Sequence, residues 1–276
     1  MSDMSEAKLS KHSRKLRRLL GPIALCSVGM GFLVFGGALT AKADPVFDRF
    51  IAEVREEAAA QGISERHLAN LDRLTPEPEI TRLASSQPEY VKPIWAYLDH
   101  LITPNRLTLG RENLNAYRPY LDKLEAQYGV PVGILVAIWG VETNYGSNKG
   151  SFHVLQALAT LGYEGRRAKF GRQQLQAALQ ILQSGDVTIN NFYGSWAGAM
   201  GHTQFIPTTY LAYAADGTGD GKRDVWASPQ DALASTANYL EVSGWQRSMP
   251  WGFEVVLPEN FDYGVAGLDQ RASAAR

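Results

Sequence analysis

The sequence predicts a mainly α-helical domain preceded by a separate N-terminal segment. Three observations carry that reading. Apolar residues recur with helical spacing in stretches bracketed by Pro, Gly and capping residues, strand signals are scarce until residues 253–257, and an uncharged run of thirteen residues, 129–141, ends directly at Glu142.

Residues 1–43 are expected to lie outside the fold. Lys8, Lys11, Arg14, Lys15, Arg17 and Arg18 precede an uncharged stretch at 19–41, and Ala41-Lys42-Ala43 offers an A-x-A cleavage site. This is the pattern of a secretory signal peptide, which places the domain outside the cytoplasm. The alternative is an uncleaved membrane anchor, because the apolar stretch nears the roughly 20 residues that span a bilayer. The single cysteine, Cys26, falls in this segment, so disulfides, thiol nucleophiles and thiolate metal sites are excluded from the domain. Residues 1–43 hold seven of the 27 Lys and Arg and two of the 28 Asp and Glu, which leaves 20 and 26 and a net charge of −6. A domain of that charge is not steered toward nucleic acid.

Residues 48–61 are amphipathic and stop at Gly62, and Ser64 caps a short helix to about residue 71. A Pro-containing loop at 75–78 follows, then helices at 88–101 and 104–127. Gly129 and Pro131 separate the last of these from the uncharged run GVPVGILVAIWGV, which is apolar on every side and reads as a helix buried in a core. Further helices are predicted at 152–161, 167–183, 207–215 and 229–242. The last has Ser228 as N-cap, Pro229 in its first turn and Gly244 beyond its end. A strand is predicted at 253–257, and no element is evident from 260 to 276, so the fold is expected to close further along than this chain runs.

Glu142 is the leading candidate for chemistry. Loss of water and the negative end of the helix dipole both disfavour its carboxylate, and a carboxyl held neutral near pH 7 is a general acid. Spacing alone leaves a second reading open, in which Glu142 points into water and Gly146 caps the helix. Residues 191–205 mix small residues with Tyr, Trp and Phe, a composition that suits a sugar or, equally, a tight helix crossing. The stretch DGTGDG, 216–221, matches the first half of an EF-hand loop, but Ala227 stands where the closing acidic residue belongs, leaving Asp231 four residues later to reach the ion. Arg166, Arg167, Lys169 and Arg172 form a basic cluster. The histidines His67, His100, His153 and His202 lack zinc spacing, and Ser195 lies in no G-x-S-x-G elbow.

With those residues in view, the chain resembles the bacterial lytic murein transglycosylases of the B type. The likeness covers roughly residues 47–262 and rests on five ordered blocks: SQPEYVKPIWAYLDHLITPNRLTLG at 86–110, YGVPVGILVAIWGVETNYG at 128–146, LQALATLGYEGRRAKF at 155–170, GSWAGAMGHTQFIPTTY at 194–210 and DGTGDGKRDVWASPQDALASTANYL at 216–240. The resemblance implies a lysozyme-like helical catalytic domain with additional N-terminal helices, spanning 44–262. It also implies cleavage of the β-1,4 bond between N-acetylmuramic acid and N-acetylglucosamine in peptidoglycan. Glu142 would act as acid and then base, leaving a 1,6-anhydromuramoyl end. By the same resemblance Ser195, Gln204 and Tyr239 line the glycan cleft, and Arg166 with Arg167 lies near the peptide stems. No cofactor is required, although in some members the loop matching Asp216, Thr218, Asp220, Lys222 and Asp231 binds Ca²⁺.

This chain departs from the family's pattern at two places. One extra residue separates Asp220 from Asp231. Family members also continue past the point where this chain stops, with a Tyr-Asn pair and a Ser that complete the cleft, so 263–276 is expected to be a truncated tail. The alternatives are therefore a peptidoglycan-binding protein without turnover and a lysozyme-type hydrolase. The expected partners are peptidoglycan glycan strands and cell-wall synthesis or remodelling complexes.

Overall fold

The computed structural model describes residues 44–85 and 93–267. The predicted leader at 1–43, the first part of the helix predicted at 88–101 and the end of the tail predicted at 263–276 lie outside the described residues. Regular structure among the described residues comprises eleven α-helices, four of them of eight residues or fewer, and one two-stranded sheet.

Helix α1 (Pro45–Ala60) begins where Asp44 accepts hydrogen bonds from the amides of Val46 and Phe47 at 3.0 and 3.2 Å, with Pro45 in the first turn, where a missing N–H costs nothing. Its buried residues Phe47, Phe50, Val54 and Ala58 repeat at helical spacing and pack on α8 (Val154–Tyr163) and α9 (Ala168–Ser184). α8 and α9 cross closely because both carry glycine at the contact. A methyl group on Gly162 would lie 2.9 Å from the Arg172 amide nitrogen and 3.1 Å from the Gly171 carbonyl carbon. The short α2 (Glu65–Leu68) and α10 (Pro207–Tyr213) close this core, which also takes in Phe192, Met200, Phe205 and Trp226.

A second core joins α6 (Arg118–Tyr128), α7 (Val132–Thr143) and α11 (Pro229–Val242) through Leu121, Leu124, Leu135, Trp139, Leu233 and Ala237. α11 ties the two cores together, with Ala232 in the first and Leu233 in the second. Each such large aliphatic side chain contributes about 1.5–3 kcal/mol by leaving water. The sheet pairs β1 (Phe152–His153) antiparallel with β2 (Tyr193–Gly194), and single bridges from Gly194 to Met200 and from Met200 to Phe205 extend it into the following loop.

Several expectations need correction. The helix predicted over 104–127 is two helices, α5 (Pro104–Ala116) and α6, broken at Tyr117. Pro119 is the physical cause: it cannot donate to the carbonyl four residues back and clashes with it, but is tolerated in the first turn of a new helix. The loop expected at 75–78 opens directly into α3 (Pro78–Ser85), whose Ile80 is buried with Ala157 and Leu161. α4 occupies Ile94–Leu101. Residues 253–257 form no strand: no neighbouring edge pairs with them, and Phe253 and Val256 are 80% and 98% exposed. Helix α7 is not enclosed all round. Leu135, Val136, Trp139 and Gly140 are buried, whereas Gly133, Ala137 and Val141 are exposed, so α7 lies at the rim of its core. No single helix among the described residues is long and apolar enough to cross a membrane.

Candidate active site

The site is built where α7 ends. Asn144, at φ 49°, is the C-cap, and Tyr145 follows at φ 59°, so two successive non-glycine residues take the left-handed conformation. Each such residue costs on the order of 1 kcal/mol and persists only where its surroundings over-determine it. Here the Tyr145 ring fills the gap between α5 and α7 that the glycines leave: a methyl group on Gly140 would meet the ring at 2.6 Å. Its hydroxyl donates to the Arg106 carbonyl at 3.0 Å. Gly146 is therefore not the cap; it packs under the His202 ring.

Thr143, next to Glu142, turns inward. Its buried hydroxyl donates to the His202 carbonyl at 2.6 Å and accepts from the Gly146 amide at 2.9 Å. Glu142 thereby points the other way, into a pocket of about 320 Å³ lined by Ile138, Thr203, Gln204, Phe205, Tyr239 and Leu240, among others. By area the residue is exposed, and among the described residues its carboxyl has no hydrogen-bond or ion-pair partner. The apolar walls nonetheless remove enough water to raise its pKa above the ordinary carboxylate value. The negative end of α7 acts in the same direction.

Gln204 and Tyr239 line the same pocket as Glu142. Gln204 is also left-handed, at φ 54°, and its amide nitrogen donates to the carbonyls of Gly201 at 3.1 Å and Lys149 at 3.3 Å. Tyr239 stands edge-on to Phe205 and Tyr213, with ring centroids at 5.9 and 5.1 Å. Among the described residues the Thr203 hydroxyl is buried without a partner.

The other predicted residues lie elsewhere. Ser195 follows β2, and its hydroxyl accepts from the Ala199 amide at 3.0 Å. Arg166 and Arg167 line a different cavity, of about 420 Å³, with Thr81, Ser85 and Glu164. The Arg167 guanidinium lies 5.1 Å from the centre of the Trp196 ring, which connects the arginines to the residue after Ser195. Arg172 leaves the basic cluster, because it is ion-paired with Glu53 and Glu57 at 3.0 and 2.6 Å.

The residues of the predicted metal loop do gather. Asp216 accepts from the amides of Gly219 at 2.6 Å and Gly221 at 2.7 Å, Asp220 from that of Lys222 at 2.9 Å, and the Thr218 hydroxyl donates to Asp216 at 3.2 Å. Asp231 reaches the loop as well. One of its oxygens accepts from the amides of Gly217 and Thr218 at 2.9 and 3.1 Å, and the other from that of Asp224 at 2.9 Å. Both Asp231 oxygens thus accept from N–H groups, and among the described residues no group of three or more His, Cys, Asp or Glu side chains converges. Ca²⁺ takes about 6–8 oxygen ligands, which here would come from Asp216, Thr218, Asp220 and the Lys222 carbonyl, with Asp231 turned toward the loop amides.

His202, which has no metal-binding spacing in the sequence, is part of the site's framework. The Trp139 indole N–H donates to His202 Nδ1 at 3.0 Å, and both side chains are buried. Burial, with Lys149 nearby, pulls the His202 pKa down to about 4. Gly146, on which the His202 ring packs, was the available signal for this contact.

A family model described as the transglycosylase SLT domain matches residues 46–276. Over 150 residues the chain is 40% identical to the membrane-bound lytic murein transglycosylase B of Escherichia coli (strain K12), an alignment that covers 54% of this chain and 41% of that protein. The crystal structure of SltB3 from Pseudomonas aeruginosa, in complex with NAG-NAM-pentapeptide, superposes with a TM-score of 0.78 at 49% identity, covering 82% of this chain and 60% of SltB3. The Escherichia coli lytic transglycosylase Slt35, in complex with calcium, matches with a TM-score of 0.65 at 33% identity, covering 74% and 65%. The chain thus spans less than two thirds of the length of each of these relatives.

Proposed function

The chain belongs to the transglycosylase SLT domain family, and from that premise we propose that it is a lytic transglycosylase. Its substrate in this reading is the β-1,4 bond between N-acetylmuramic acid and N-acetylglucosamine in peptidoglycan. The observation that carries the reading is the unpartnered, desolvated Glu142 carboxyl in a pocket whose lining includes no second carboxylate. A glycosidase that activates water or forms a glycosyl-enzyme works with two carboxyl groups about 5–9.5 Å apart.

Protonated Glu142 gives its proton to the glycosidic oxygen as the bond from that oxygen to C1 of muramic acid breaks. The resulting carboxylate takes the proton of the C6 hydroxyl, O6 bonds to C1, and the products are an N-acetylglucosamine terminus and a 1,6-anhydromuramoyl end. No water is consumed, and Glu142 ends protonated, ready for another cycle. Gln204 offers hydrogen bonds and Tyr239 a ring face to the sugars on either side. Ser195 extends the glycan cleft, and Arg166 and Arg167 meet stem-peptide carboxylates.

In this reading no step passes through a metal: Glu142 and the C6 hydroxyl of the substrate carry the proton transfers and the ring closure. Residues 1–43 export the domain to the periplasm, where glycan strands are its partners and cell-wall remodelling complexes its setting. The test is mass spectrometry of products after the 276-residue chain and its Glu142→Gln variant are incubated with purified peptidoglycan. Anhydromuropeptides from the parent alone support the reading. Products ending in reducing muramic acid indicate a hydrolase, and glycan binding without products from either protein indicates a binding module.

A further inference from the structure

We propose that His202 is a positioning residue for the acid, acting through a neutral imidazole that locks the end of α7 to the loop bearing Gln204. The proposal deepens the reading of Glu142 as the acid and rests on it. An indole nitrogen can only donate, so the 3.0 Å contact from Trp139 makes His202 Nδ1 the acceptor and leaves the ring proton on Nε2. Trp139 precedes Glu142 by three residues on α7, and Thr143, which follows Glu142, donates to the His202 main-chain carbonyl at 2.6 Å. The two bonds clamp the turn that carries Glu142 from both sides.

On the other side of the clamp, the His202 amide donates to Val225 at 2.9 Å, and the main chain of Met200 exchanges hydrogen bonds with that of Phe205 at 2.8 and 3.0 Å. Gln204 lies inside this closed loop in its left-handed conformation. The catalytic carboxyl has no partner of its own to orient it, so its direction comes from the backbone of this turn. Losing the indole bond would free the turn by fractions of an ångström, and a misplacement of about 1 Å costs about 100-fold in rate.

The discriminating pair is His202→Asn against His202→Leu. The Asn side-chain oxygen occupies the place of Nδ1 and still accepts from Trp139, whereas Leu keeps the apolar volume but leaves the indole N–H buried without a partner. Each variant is assayed on a soluble muropeptide oligosaccharide, with melting temperatures measured alongside. We expect the Leu variant to lose about 10- to 100-fold in kcat with KM within about twofold, and the Asn variant to stay within about threefold of the parent. A folded Leu variant with parental kcat, or an Asn variant as slow as Leu, overturns the proposal.

Nitrogen-15 NMR of the His202 ring in the parent supplies a readout independent of turnover and of whether any variant folds. The proposal requires the Nε2–H tautomer, and an Nδ1–H ring overturns it. If the parent makes no anhydro product while His202 shows the Nε2–H tautomer, the reading of Glu142 has failed and the clamp has not.

Discussion

The end of α7 and the loop from Asp216 to Asp231 look alike in the sequence, each a carboxylate-bearing turn rich in glycine, and they are opposites in space. Asp231 is buried, at 1% exposure, with both oxygens engaged by three main-chain N–H groups. Glu142 is exposed and, among the described residues, accepts nothing. Desolvation is the largest influence on both pKa values and raises each, but at Asp231 the amides of Asp224, Gly217 and Thr218 pull the other way, whereas nothing opposes desolvation at Glu142. The lesson is that a carboxyl is kept for chemistry by withholding partners from it, and used for architecture by supplying them.

The largest effect that would break this comparison is on turnover. Glu142→Gln should cut kcat by about 100- to 10,000-fold, the range for a lost general acid, while glycan binding is retained. Turnover within tenfold of the parent would show that Glu142 is not the acid. The same variant should melt higher than the parent at pH 7. Because the Glu142 pKa is raised on folding, its contribution to stability is fully present below the ordinary value near 4.5 and is lost as pH rises through the folded value. The gain should therefore vanish in acid, and a gain that persists at pH 4 would contradict the desolvated site.

Asp231→Ala should lower stability by about 2–3 kcal/mol by orphaning the loop amides, read from denaturant midpoints with unchanged slope. The loss should be the same in millimolar Ca²⁺ and in chelator. Calcium-dependent melting of the parent would instead show that the carboxylate turns to a cation.

A smaller and gradual effect sharpens the contrast through pH. In the proposed mechanism Glu142 begins protonated, so kcat/KM should fall as pH rises through its raised pKa. His202 acts on stability in the opposite direction. Its folded pKa lies below the ordinary 6.5, so stability is full above 6.5 and is lost as pH falls from there toward about 4. His202→Asn should flatten that acid slope, and an unchanged slope would assign it to other groups. The smallest effect should come from Arg172→Ala, because the Arg172 side chain is 33% exposed and its partners Glu53 and Glu57 are 51% and 47% exposed; a loss of more than about 1 kcal/mol would be unexpected.

Much of this was legible in the chain. The bounds of α11 could be read from Ser228, Pro229 and Gly244, and the end of α7 from the place where its apolar run meets Glu142, because caps and breakers act within a turn of themselves. The break at Tyr117 and the existence of α3 were missed although Pro119 and Pro78 marked both, since proline opens a helix as readily as it ends one. The predicted strand at 253–257 failed for a different reason. Alternating apolar residues make a strand only when another edge offers hydrogen bonds.

Local chemistry, then, was enough to place most of the helices, though not α3 or the break between α5 and α6, to put Glu142 in the last turn of α7 and to leave the domain without a thiol. Long-range packing settled the rest: that Asp231 spends its oxygens on amides, that Arg172 pairs with α1, that His202 accepts from Trp139, and that Glu142 is left alone beside Gln204 and Tyr239. The physical reason is separation along the chain. Helix caps and breakers act between residues a few positions apart, whereas His202 lies 63 residues from Trp139, and which donors reach a carboxyl or an imidazole depends on how the two cores meet.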